Sequence, residues 1–143
     1  MTVDVRRARK IDLALEIRAR LLRAAQRLSS DATRKLEVRG ISQAQFEVLR
    51  RVALNPDGTQ QDLARSLGVT RGNVSQLLAK LEAEGLVLRV AVGTRKYLRV
   101  SKRGERFLET VLPSEHELLA ARFGNLSKAD LETLLALLER LEV

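Results

Sequence analysis

Two short stretches with a helical apolar period, joined at a glycine and followed at once by a stretch whose apolar period is two, constrain this chain more than any other feature. They occupy residues 59–101. Thr59 stands where a helix N-cap belongs, with Asp62 three residues on, and Leu63, Ala64 and Leu67 share one side of the helix that would follow. Gly68 sits where a helix ends in left-handed backbone. After Val69, Thr70 caps a second helix whose apolar residues Val74, Leu77, Leu78 and Leu81 form a narrow stripe ending at Gly85. From Leu86 the pattern turns extended: residues 86–92 and 95–100 are rich in β-branched and long side chains, and Gly93 with Thr94 between them reads as a two-residue hairpin loop. Helix, glycine turn, helix and hairpin, in that order, is the plan of a winged helix-turn-helix.

The rest of the chain reads as helix. Residues 5–28 place Ile11, Ala14, Leu15, Leu21, Leu22, Ala25 and Leu28 at helical spacing among Arg and Glu. Ser29, Ser30, Asp31 and Gly40 break that pattern, so residues 29–40 are expected to form a loop with a helical turn. Ser42 and Gln45 have capping-box spacing and open a helix with Phe46, Leu49 and Ala53 on one side, which Asn55, Pro56, Asp57 and Gly58 end as a turn. Ser101 caps a long helix carrying Phe107, Leu108, Val111, Leu112, Leu118, Leu119 and Phe123, which Pro113 is expected to kink or interrupt. Gly124 and Asn125 close it, and Ser127 with Asp130 opens a last helix faced by Leu131, Leu134, Leu135, Leu138 and Leu141. The fold class is therefore mainly α with a small β-hairpin. The expected organisation is a single domain over residues 1–143, with a winged helix-turn-helix part at 41–104 and helical dimerisation parts at 1–40 and 105–143. Aromatic residues make up only 3% of the chain, so the core is thin, and the apolar stripes of the terminal helices call for a twin to cover them.

Charge narrows the function. The net charge is +8, which favours a polyanionic partner. Residues 1–40 and 41–104 each hold eleven Lys/Arg against five Asp/Glu, whereas residues 105–143 hold four against eight. The acidic tail is expected to point away from the polyanion or to pair with the basic N-terminal segment. With no cysteine, disulfides, thiolate metal sites and thiol redox sensing are excluded within the chain. His116 is the sole histidine, a poor basis for a metal site, and no nucleophile, base and orienting group can be assembled around it, so neither a metal nor catalysis is expected. No apolar run is long enough for a signal peptide or a membrane span, and the cytoplasm is the expected location.

Within the second helix of the pair, the stripe opposite Val74, Leu77 and Leu81 consists of Gly72, Ser75, Gln76, Ala79, Lys80 and Ala83. Small residues there let a helix sit deep in the major groove of double-stranded DNA. Ser75 and Gln76 can exchange hydrogen bonds with bases, Arg71 and Asn73 at the entering turn suit guanine and adenine, and Lys80 suits a phosphate. Alternation along the hairpin leaves Leu88, Leu98 and Val100 for packing and puts Arg89, Arg95 and Arg99 on another side, and Arg95 and Lys96 at the tip can reach phosphates or an adjacent minor groove. Thr59 and Gln60 can donate to a phosphate from the supporting helix, and Thr70 caps the reading one. A winged helix used only for protein contacts would carry apolar residues on that stripe. A sequence-blind architectural binder would bind all duplexes alike.

The sequence resembles the MarR (multiple antibiotic resistance regulator) family, most closely over TQQDLARSLGVTRGNVS (59–75) and LEAEGLVLR (81–89). The resemblance implies a homodimer knitted by N- and C-terminal helices that binds a palindromic operator, usually as a repressor. It also implies that a small phenolic or other organic effector, held between the dimer helices and the reading domain, releases the DNA; no further cofactor is implied, and the residues that would bind an effector are unknown. The chain departs from the family in its wing. The family's wing is commonly longer, with Asp-x-Arg near the tip, whereas Val92, Gly93, Thr94, Arg95 and Lys96 make a short tip without Asp, for which a phosphate contact is expected.

Overall fold

The computed structural model describes residues 5–142 and divides the chain into two compact units, residues 1–43 and 44–143. The first holds helix α1 (Val5–Glu37). It does not stop at Ser29, as the sequence suggested. Ser29, Ser30 and Asp31 continue the helix because the apolar spacing continues beneath them through Leu28, Ala32 and Leu36, the last two buried. Arg34 pairs with Asp31 one turn earlier at 2.7 Å, and the Ser29 hydroxyl donates outward to Gln43 at 2.8 Å, so neither polar side chain competes for the backbone. The break comes instead at Gly40. Its φ of +75° lets Gly40 N–H reach the Glu37 carbonyl and Ile41 N–H the Leu36 carbonyl, the paired bonds of a Schellman cap.

The second unit is laid out as α2 (Gln43–Leu54), α3 (Gln60–Leu67), α4 (Arg71–Ala83), β1 (Val87–Val92), β2 (Arg95–Val100), α5 (Lys102–Phe123) and α6 (Lys128–Leu141). Its core is aliphatic: Val48, Leu49, Val52, Leu63, Val74, Leu78, Leu81, Leu86, Val87, Leu98, Leu108 and Val111 are buried, with Phe46 the single aromatic among them. On α2 the buried positions run through Val52, while Ala53, expected inside, faces out. Pro113 does not end α5. It removes one amide donor, but Pro113 and Glu109, whose carbonyl loses that bond, both lie exposed where water can serve instead. No residue of α6 is buried, and Leu135 and Leu141 stand 60% and 66% exposed. No helix among the described residues is long and apolar enough to cross a membrane.

The strands pair antiparallel from Val87↔Val100 to Val92↔Arg95 around Gly93 and Thr94, with positive φ at Gly93. That register corrects the expected facing of the hairpin. Leu88 pairs with Arg99 on the outer face and is half exposed, while Arg89 pairs with Leu98 on the inner face and is largely covered. A one-residue difference in phase exchanges the two faces of a strand, and the inner face is set here by Val87 and Leu98, both buried.

Candidate nucleic-acid interface

Three local devices fix the elements that carry the interface. Thr59 caps α3 in a full capping box: its hydroxyl accepts the Asp62 N–H at 3.1 Å, and the Asp62 carboxylate accepts the Thr59 N–H at 3.2 Å. These bonds from Thr59 hold the Asp62 carboxyl below the usual carboxylate range, helped by the charges of Arg65 and Arg95. Gly68, at φ +64°, then turns the chain, with its own N–H on the Arg65 carbonyl and the Val69 N–H on the Ala64 carbonyl. Two residues later Thr70 caps α4 by accepting the Asn73 N–H at 3.2 Å.

The hairpin is tied to both helices. Leu98 exchanges backbone bonds with Asp57 and Gly58, and a bridge joins Thr59 to Tyr97, so the N-terminus of α3 lies alongside β2. Arg99 holds the Asp57 carboxylate at 2.5 Å across the same seam. Beyond the wing, the Ser101 hydroxyl donates to the Gly85 carbonyl at 2.5 Å and accepts the Gly104 N–H at 3.0 Å, joining the end of α4 to the start of α5.

On this frame α4 presents one open side. Val74, Leu78 and Leu81 are completely buried, Gly72, Gln76 and Lys80 are exposed on the far side from them, and Arg71 and Asn73 are exposed in the first turn of the helix. Ser75 is half-buried at the edge of that face. Next to it runs an open groove lined by Thr59, Gln60, Gln61, Asp62 and Arg65 of α3, Arg71 at the head of α4, and Thr94, Arg95 and Lys96 of the wing. The groove thus gathers five residues singled out from sequence, namely Thr59, Gln60, Arg71, Arg95 and Lys96. Thr70, Gly72, Asn73, Ser75, Gln76 and Lys80 lie on α4 outside it. Four cations, Arg65, Arg71, Arg95 and Lys96, face one carboxylate there, and that carboxylate is the one committed to the α3 cap. A channel of this sign with amide and hydroxyl donors along it suits a line of phosphates. Gln61 and Arg65 were missed. They stand four residues apart on the side of α3 opposite Leu63 and Leu67, so the wheel applied to α4 would have found them. Among the described residues no three His, Asp or Glu side chains gather as a metal ion would need.

Comparison with known proteins places these elements. A model of the MarR family matches residues 39–96, which span α2, the helix pair and most of the wing. An HTH-type transcriptional regulator of Bacillus cereus is 31% identical over 96 residues, 67% of this chain and 65% of the relative, so the chain spans just under two thirds of the length of the curated relatives it matches. The S. aureus MepR–DNA complex is 26% identical, with a TM-score of 0.72 over 82% of this chain and 87% of that one. A MarR-family transcriptional regulator from Rhodococcus reaches a TM-score of 0.80 over 90% and 95% of the two chains, a likeness of fold at 18% identity.

Proposed function

We propose that the chain is a member of the MarR family, whose model matches residues 39–96, and that it is a sequence-specific DNA-binding transcriptional regulator, a repressor that grips a palindromic operator as a homodimer. One observation carries the reading. The polar, small-residue face of α4 and the cationic groove beside it open on neighbouring surfaces that meet at Arg71. A helix lowered into the major groove by that face brings Arg71, Asn73 and Gln76 to base edges, and brings the backbone along Thr59, Gln60, Arg65 and Lys96. The wing, with two loop residues and its cations at Arg95 and Lys96, acts as a phosphate clamp. The similar S. aureus MepR is found in complex with DNA, which supports the same use here. Release by a small organic effector is the part of the proposal that rests on the family resemblance alone.

Selection of bound sequences from a random duplex pool tests the reading. Two similar half-sites of opposite orientation, about one helical turn or 34–36 Å apart, are expected. Recovery of duplexes with no shared sequence would turn the protein into a sequence-blind binder and overturn the proposal.

A further inference from the structure

Arg89 lies behind the interface rather than on it, and sequence reasoning had placed it on the outer side of the wing. Its side chain is one-fifth exposed and touches three elements at once. Nη1 donates to Oε1 of Gln60 on α3 at 3.4 Å, and Nη2 donates to the Ser75 carbonyl on α4 at 3.4 Å. Nε lies against the Glu82 carboxylate farther along α4, an ion pair rather than a well-directed hydrogen bond. Three nitrogens of one rigid fork therefore address the supporting helix and two turns of the reading helix, from a strand of the wing. A carboxamide has one acceptor and one double donor. With Oε1 of Gln60 committed to the guanidinium, the NH₂ end is the part left for the groove that Gln60 lines. The same grip on the Ser75 carbonyl fixes the rotation of α4 at the turn that carries Ser75 and Gln76.

We propose that Arg89 is a positioning residue for DNA recognition, acting mainly through Gln60: it turns that side chain's donor end toward a phosphate and sets the phase of α4 against α3. This rests on the DNA-binding reading above. Charge alone is not sufficient for the role, since a lysine at this position could hold Glu82 or Gln60 but not three partners in one plane. Gln60 in turn is worth as much to binding as the orientation Arg89 gives it, because a freely rotating carboxamide spends part of its time with oxygen toward the phosphate.

The experiment is a double-variant cycle on the full chain, with a duplex recovered by the wild-type protein from a random pool as the probe. Arg89→Lys and Gln60→Ala are each expected to weaken binding by roughly five- to tenfold, the range of one hydrogen bond's net contribution. The pair together is expected to lose little more than either alone. Unfolding midpoints of the same variants separate this role from a role in folding only, which would leave the two losses on DNA independent and follow the loss of stability. Arg89→Ala checks the same point where the stem is also removed. Losses that multiply, or an Arg89→Lys protein that binds as the wild type does, overturn the assignment while leaving the DNA-binding reading intact. A wild-type chain that recovers no duplex at all defeats that reading, and this inference with it.

Discussion

Gly72 lies exposed on α4, where an added Cβ would meet nothing nearer than the Thr70 hydroxyl at 3.9 Å, whereas a Cβ on buried Gly104 would stand 2.6 Å from the Val100 side chain and run into the Leu86 carbonyl. Gly104 therefore serves the packing of α5 on the strand ends, whereas the proposed DNA reading gives Gly72 a different end, room for the duplex to approach. Gly72→Ala is expected to keep or raise the unfolding midpoint, because alanine favours helix by up to about 1 kcal/mol, and to weaken operator binding roughly tenfold by holding the helix off the bases. Gly104→Ala is expected to destabilise the fold by about 3 kcal/mol, read by denaturant unfolding; a midpoint unchanged at Gly104 would contradict the contact. Glu47 gives a pH test. Burial opposes its charge, but Arg50 at 2.8 Å and Arg51 at 3.0 Å more than offset that and hold its carboxyl below the usual range. Its contribution to stability is complete above the ordinary carboxylate range and is lost as the pH falls through the lowered folded value. Glu47→Gln should therefore lower the unfolding midpoint at neutral pH and make progressively less difference in acid. Of these residues the sequence disclosed little: Gly104 is required by a carbonyl eighteen positions away, and Arg89 by partners on two helices, relations that no local pattern encodes.

Helix starts were readable because capping is a local bargain between a hydroxyl and an amide three residues on. Thr59 with Asp62, Thr70, Ser101, and Ser127 with Asp130 all cap as expected. The hairpin loop was readable for a similar reason, since two residues with a leading glycine leave few alternatives. The end of α1 was not. Serines and an aspartate read as a break only while their side chains compete for the backbone, and in α1 Ser29 and Asp31 are engaged with Gln43 and Arg34 instead. Strand phase failed for Leu88 and Arg89 because a stretch that mixes long apolar and basic residues does not say which set faces inward; only the burial of Val87 and Leu98 does. At this scale the wing carries its own prediction. Lys96 faces the groove from the inner side of β2, paired with Ala91, so Lys96→Ala is expected to weaken binding to every duplex alike. The slope of log affinity against log salt should become shallower by about one unit. An unchanged slope would take the wing tip off the phosphates.

The molecule as a whole is a reading head with apolar surface left over. Leu131, Leu135, Leu137 and Leu141 of α6 are exposed, and so are Ile11, Leu13, Leu15, Ile17 and Leu22 of α1. Surface of that extent on terminal helices is what a second copy would cover. Leu135→Glu changes a side chain already 60% exposed in the single chain, so the fold should tolerate it. Sedimentation should find the wild type dimeric and the variant monomeric; a dimer retained in the variant would place the twin elsewhere. A monomeric variant should also bind a long operator no better than a single half-site. The central claim, that the open face of α4 reads bases from the major groove, is tested most directly by scanning the selected duplex with 7-deazapurines, which delete the N7 acceptor there and nothing else. The wild-type protein should lose about 1–3 kcal/mol at particular purines in each half-site, and Arg71→Ala or Gln76→Ala should be weaker on the natural duplex yet indifferent to the substitution at those purines. Wild-type binding that ignores every deazapurine, or a sensitivity that survives unchanged in both variants, would show that this face does not read the DNA.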